Sequence, residues 1–462
     1  MKVTSKFLIA LLLTSSVCTF TSCNDDDEKV EPGIEEPQGQ EIVVTESAQG
    51  TGTVTWTANN TYILDGFVFV NDGQTLTIEP GTVIKGKPGE GENASALIVA
   101  RGGKIIAEGT AEKPIIFTAL QDDVTKVDDM PLDANGLWGG VIVLGKATIN
   151  KAGGQGAIEG IPAEEARGVY GGTNDADNSG VLKYVSIRHG GTLIGAGNEI
   201  NGLTLGGVGS GTTIDYIEVF SNQDDGIEWF GGTVNTKHLV SAFNNDDMFD
   251  YDQGWRGNNQ FWFGIYNEGA GGTGGEFDGG SKPDDATPFS IPTIANATII
   301  GGMNLDGQNA VMLVDNAGGK IYNSIFADFA GGLVVEDLDD ASVGDSRQRL
   351  ETGDLVFKSN IFSNVADNTF AGITAVAPNQ GYLLEHLNAN NNRVTADPVL
   401  ASISRRNNKT LSPLAASGSA ALSGATALEG SFFTNVNYIG AFDSSNNWMK
   451  GWTYLDQLGY LK

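Results

Sequence analysis

Carboxylates are concentrated in one short stretch of this chain. Asn222-Gln223-Asp224-Asp225-Gly226-Ile227-Glu228-Trp229 is followed, 22 residues on, by Asn244-Asn245-Asp246-Asp247-Met248-Phe249-Asp250-Tyr251 and then Asp252. The offset matches Asp224 to Asp246, Asp225 to Asp247, Glu228 to Asp250 and Trp229 to Tyr251. If it marks one turn of a coil, these acids stand about 5 Å apart on neighbouring rungs, where they raise one another's pKa unless a cation or hydrogen-bond donors intervene. Three chemistries fit. Asn and Asp can form corner turns whose carboxylates accept backbone N–H groups. Asp224, Asp225, Asp246 and Asp247 can offer hard oxygen ligands to Ca²⁺, a reading that rests on stacking because no EF-hand spacing is present. Asp225 and Asp247 can also act as the paired carboxylates of a glycosidase.

Beside the acids runs Gly254-Trp255-Arg256-Gly257-Asn258-Asn259-Gln260-Phe261-Trp262-Phe263. With Trp229, the side chains of Trp255, Arg256 and Trp262 would make a platform for stacking sugar rings or gripping a protein partner. Strand alternation puts Phe261 and Phe263 in the core and leaves Trp255 and Trp262 for the surface. Other chemistries lack their residues. The chain has 3 histidines and 2 cysteines, no Gly-x-Ser-x-Gly elbow and no phosphate loop, which disfavours zinc and Cys–His nucleophilic sites.

The elements that must position these residues are short strands. The 64 glycines among 462 residues, about twice the average share, argue against a mainly helical protein. Strand-forming runs lie at 53–56, 66–70, 75–78, 82–85, 96–99, 104–107 and 114–118, separated by Gly, Asn and Asp turns. Lys183-Tyr184-Val185-Ser186-Ile187 recurs as Asp215-Tyr216-Ile217-Glu218-Val219 and as Lys237-His238-Leu239-Val240-Ser241. Ala297-Thr298-Ile299-Ile300 recurs as Asn323-Ser324-Ile325-Phe326 and as Asn360-Ile361-Phe362. A 22-residue repeat is too short for a propeller blade and fits one turn of three strands. The fold class is all-β, a right-handed parallel β-helix. Val185, Ile217 and Leu239 should form one interior column, and Ile299, Ile325 and Ile361 another. Asparagines at the corners can stack as amide ladders. Residues 51–430 form the coil. Residues 41–60 would shield one end, and a capping segment, 431–462, rich in aromatics, would cover the other.

The N-terminus reads as an address. Lys2 and Lys6 precede the apolar run 7–13, too short to span a bilayer, and the segment ends in Phe20-Thr21-Ser22-Cys23. These last residues resemble the lipobox of bacterial lipoproteins, which implies a signal peptide over 1–22 and lipidation of Cys23. The other reading is an ordinary cleaved signal with a thiol near the cut. Residues 23–50, opening with Asn24-Asp25-Asp26-Asp27-Glu28, read as a flexible acidic tether. An acidic run here also resembles the surface-export signal of Bacteroidetes lipoproteins, although a solvated linker has the same composition. With 27 basic against 57 acidic residues the chain carries a formal charge of -30, which excludes nucleic acid as a partner.

Several stretches resemble a family of secreted and surface β-helix proteins common in Bacteroidetes and some marine bacteria: 76–86, 96–105, Trp138-Gly139-Gly140-Val141-Ile142-Val143-Leu144-Gly145, and Tyr438-Ile439-Gly440-Ala441-Phe442 with Trp448 and Trp452. The resemblance implies a pectate-lyase-like coil and an extracellular place. The Asp-Asp pairs with Arg188-His189-Gly190-Gly191 are similar to the Asp-Asp and Gly-His-Gly motifs of polygalacturonase-type hydrolases, but here the His motif precedes the acids and the Arg-x-Lys motif is missing. Similarity to β-helix polysaccharide lyases implies a calcium-bound uronate and a Lys or Arg base, for which Lys237, Arg188 and Arg256 are available. The expectation is an outer-membrane, lipid-anchored, cell-surface protein that binds an extracellular ligand, a glycan or else a surface protein, with Ca²⁺ as cofactor. The alternatives are a lyase or hydrolase using the same wall, and an adhesin or transporter subunit.

Overall fold

Short β-branched runs cannot bury an apolar face singly; they bury it by stacking turn upon turn. The computed structural model describes residues 39–462 except 128, 196–197, 281–282, 304–306, 340–342, 376–380 and 406–408. Each turn lays down three strands that pair in parallel with those of the next. The first face is a nine-stranded sheet that includes Val141–Leu144, Leu203–Gly206, Ile227–Phe230, Phe249–Asp252, Glu276–Asp278 and Val311–Val314. The second and third faces are continuous, because Gly180–Arg188, Thr213–Phe220, Asn235–Ala242 and Asn258–Ile265 each bend from one into the other. The coil is the parallel β-helix that the repeats predicted.

One residue makes each bend. Tyr184, Tyr216, His238, Phe261, Asn296 and Asn323 all hold φ between 48° and 63° at this corner. Asparagine tolerates the left-handed region, but an aromatic residue there is strained. Stacking offsets the strain, since the rings of Tyr184 and Tyr216 lie 4.3 Å apart, Tyr216 and His238 4.1 Å, and His238 and Phe261 5.2 Å. Amide ladders also form: Asn244 Oδ1 accepts from Asn222 N at 2.7 Å, and Asn392 Oδ1 from Asn360 N at 3.0 Å.

Val185, Ile217 and Leu239 pair rung to rung and are fully buried in the lumen. The second expected column is corrected. Ile325 pairs with Thr298 and Ile361, whereas Ile299 pairs with Phe326, so Ile299 points inward and the other two point outward. A one-residue slip moves a side chain to the opposite face.

One boundary and the place of the C-terminal segment also differ from expectation. Glu41–Thr45 is a strand paired with Thr61–Asp65, so the β-branched run at 42–45 belongs to the first rung and not to a tether reaching residue 50. The signal segment, Cys23 and the acidic run after it lie outside the described residues. The C-terminal segment runs along the third face instead of closing an end. Ile439, Phe442, Met449, Trp452 and Leu455 pack on Phe220, Val240, Phe263, Ile265 and Ile300. Strands apolar on both sides demand such a cover. The far end of the lumen is instead closed by helices Phe370–Ile373 and Gly381–Ala389, which insert Ile373, Leu383 and Leu387. Buried Glu218 fastens the C-terminal segment: it accepts from Tyr454 N at 2.7 Å, Leu455 N at 3.2 Å and Ser186 Oγ at 2.6 Å.

Candidate functional site

Alternation along the first face builds an acidic wall. Ile227, Trp229, Phe249, Tyr251 and Phe277 point into the lumen, and the residues between them point out. Parallel pairing then sets Thr204, Glu228, Asp250 and Glu276 in one outward column, with Asp252 and Asp278 two residues further along their strands. The corners entering these strands add Asp224, Asp225, Asp246 and Asp247. Asp247 N donates to Asp225 Oδ1 at 2.8 Å, so the two Asp-Asp corners sit one rung apart, at the 22-residue register read from the sequence. Gly226 is required between them, because a Cβ there would collide with Ser241, Asn244 and the Met248 carbonyl.

Oxygen atoms of Asp224, Asp225 and Asp246 lie within 4.8 Å of one another, and so do those of Asp225, Glu228 and Asp250. Asp225 belongs to both sets. Burial first, then neighbouring carboxylates, push these groups up: Asp225, Glu228 and Asp250 rise well above the usual range, Asp246 rises, and Asp224 reaches about 7. Asp247 is pushed to about 9 by burial and Glu276, and Asp278 to about 8 by burial and Asp252. Donors answer only part of this charge. Asn201 Nδ2 donates to Glu228 Oε2 and Thr273 N to Asp247 Oδ1, while the Oδ1 atoms of Asp250 and Asp278 are buried without a partner.

Of the four acids singled out in the sequence, Asp224, Asp225 and Asp246 come together, Asp225 also meets Glu228 and Asp250, and Asp247 stands outside both groups with its Oδ1 accepting from Thr273 N. The wall's continuation through Glu276 and Asp278 was not anticipated. The signal was there: Glu276-Phe277-Asp278 repeats the polar-aromatic-polar pattern of Asp250-Tyr251-Asp252.

The aromatic platform is corrected. Trp229, Trp255 and Trp262 are at most 1% exposed and stack in the lumen behind the acids, with ring centroids of 229 and 255 4.4 Å apart and of 229 and 262 5.1 Å apart. Trp255 is turned inward after Gly254, with its indole Nε1 donating to Val234 O at 3.3 Å. The bend at Phe261 inverts alternation, so Trp262 faces the lumen while Phe263 faces outward beneath Phe442.

The basic residues do not converge on the wall. Arg256 bonds the Gly254 carbonyl at 2.6 Å and Asp175 at 3.2 Å; Lys237 is on the second face, 3.3 Å from Thr434 Oγ1; Arg188 is buried on the third face against Tyr454. His189 and His238 occupy different corners, and His386 Nε2 accepts from Phe357 N on the second face.

The chain belongs to the pectate-lyase-like β-helix domain family, whose model matches residues 48–453. No curated protein and no solved structure matches it.

Proposed function

We propose that the acidic wall binds an extracellular carbohydrate, with Ca²⁺ held by Asp224, Asp225, Glu228, Asp246 and Asp250. One observation carries the reading: Asp225 is shared by two carboxylate triplets on an outward face. Hard oxygens suit calcium, and the partnerless Asp250 Oδ1 supplies one that no protein donor satisfies. A bound cation would remove the repulsion and present open coordination positions to sugar hydroxyl or carboxylate oxygens. Lipid attachment through Cys23 would hold the coil at the outer-membrane surface. Calorimetric titration of a glycan panel with and without chelator tests this: binding that needs calcium and is lost in Glu228→Gln supports it, and chelator-insensitive binding refutes it.

A second reading is favoured by carboxyl groups that stay protonated near neutrality. Asp247, pushed to about 9 by burial and Glu276, can donate a proton to a glycosidic oxygen, the acid's part in paired-carboxylate hydrolysis. Release of reducing ends, abolished by Asp247→Asn, distinguishes it. The lyase reading has no base at the wall among Lys237, Arg188 and Arg256.

A further inference from the structure

A cleft with three cations lies at the opposite end of the acidic face, and its chemistry is reversed. Where the early strands of the first face end, at Val70, Val99 and Leu144, residues 145–178 leave the coil and arch back over it. Beneath this arch is a cleft of about 810 Å³, within the size range of small-ligand sites. Arg101, Lys146 and Arg167 line it, with Asp72 as the carboxylate in its wall. Three cations in one cleft stand out in a chain with 27 basic and 57 acidic residues.

The three are not equally free. Arg167 is engaged, since Glu165 takes its Nε at 2.8 Å and its Nη2 at 2.6 Å, and its guanidinium stacks on Phe69. Among the described residues Lys146 Nζ reaches only Asp72, at 3.4 Å, in a pair whose side chains are 43% and 77% exposed. Such a pair contributes little and yields readily to a better partner. Arg101 is fixed by one bond, from Nη1 to the Gly171 carbonyl at 2.8 Å, and forms no ion pair among the described residues. That bond aims a planar donor fork while leaving the rest of the guanidinium available. The loop Gly171-Gly172-Thr173-Asn174 closes the cleft, and its Gly172 and Thr173 amides make no hydrogen bond among the described residues.

A preset guanidinium, a loosely held ammonium and open backbone N–H groups are the donors that an oxyanion takes. From these the geometry points to a second binding site: the cleft under the 145–178 arch receives a mono- or disaccharide-sized ligand through a carboxylate or sulfate group held by Arg101 and Lys146. The site is independent of calcium and of the wall, since it uses neither its residues nor its charge. On so acidic a surface it is where an anionic substituent finds attraction, which would orient a bound chain with its charged end here.

The test is titration of the full chain, in chelator, with glucuronate, a sulfated disaccharide, the neutral parent sugars and inorganic sulfate. We expect one of the two anionic sugars to bind and its neutral parent not to, with affinity falling as salt rises. Which of the two binds decides between carboxylate and sulfate. Lys146→Gln and Arg101→Gln should each weaken binding about tenfold or more. Because Lys146 makes only an exposed contact, its variant will fold even if Arg101→Gln does not. Every titration is made in chelator, where the calcium reading predicts no binding at the wall, so failure of that reading leaves this one intact. Equal affinity for neutral sugars, inorganic sulfate competing as well as the sugar, or undiminished binding by Lys146→Gln would overturn the assignment.

Discussion

Asp278→Asn tests whether the wall stores repulsion. Asp278 lies outside the proposed calcium donors, so its substitution separates electrostatic strain from cation binding. Its carboxyl is held at about 8 by burial and by Asp252, Glu276, Asp315 and Glu336, against 3.8 in the unfolded chain. The folded state therefore keeps a proton that the unfolded state releases. The stability this group contributes is complete below pH 4 and is lost as pH rises to 8, at about 1.4 kcal/mol per pH step. The full span corresponds to about 6 kcal/mol; with partial water access, about 2–4 kcal/mol is expected. Asparagine mimics the protonated acid and does not titrate. The variant should match the parent at pH 4 and exceed it by about 2–4 kcal/mol at pH 8, or a few degrees in melting temperature for a chain of this length. Denaturant midpoints at pH 4, 6 and 8 in chelator measure this. A variant equally destabilised at all three values, or a parent chain whose stability does not fall between pH 4 and 8, would refute the account of the wall.

Two further outcomes follow from packing. Trp229→Ala should cost about 3–5 kcal/mol by opening a cavity beside Trp255 and Trp262, read as a lowered denaturant midpoint. Glu218→Gln should cost about 2–3 kcal/mol by setting its NH2 against either the Tyr454 or the Leu455 N–H, its one remaining oxygen accepting from the other, and limited proteolysis should then cut within 431–462 before the coil.

The sequence made the repeat and the acid register legible because both depend on strands of constant length between variable loops. The 22-residue offset places Asp225 on Asp247 without any knowledge of the corners. What was misread traces mainly to one conformational feature. The left-handed residue between the second and third faces shifts alternation by one, and it is as readily Tyr, His or Phe as Asn. Aligning on Asn296 and Asn323 gives a 27-residue step and the observed Thr298–Ile325 pairing; aligning on the isoleucines gives 26 and the wrong face. The same bend sends Trp262 inward. The lateral course of the C-terminal segment also had a trace, in the outward residues Phe220, Val240, Phe263 and Ile265, whose apolar character shows that the third face is covered but not by what.

The three faces divide the work. The third face is apolar and sealed by the C-terminal segment, and the second meets that segment around Lys237 and Gln260, where Thr434 bonds both. The first face carries the carboxylates, and its early strands pack under Ile149, Ile158, Ile161 and Tyr170 of the 145–178 arch. Stacked aromatic residues behind these acids fix their spacing, since Trp229, Tyr251 and Phe277 alternate with Glu228, Asp250, Asp252, Glu276 and Asp278 along the same strands. A wall held this rigidly cannot relax its repulsion by moving side chains apart, so it must take up protons or a cation. Protons serve up to about pH 8–9, where Asp278 and Asp247 titrate. Above that a bound cation would relieve the wall while leaving the coil unchanged, so chelator should lower the stability of the parent chain more at pH 9 than at pH 6, and this difference should shrink once Glu228 is neutralised.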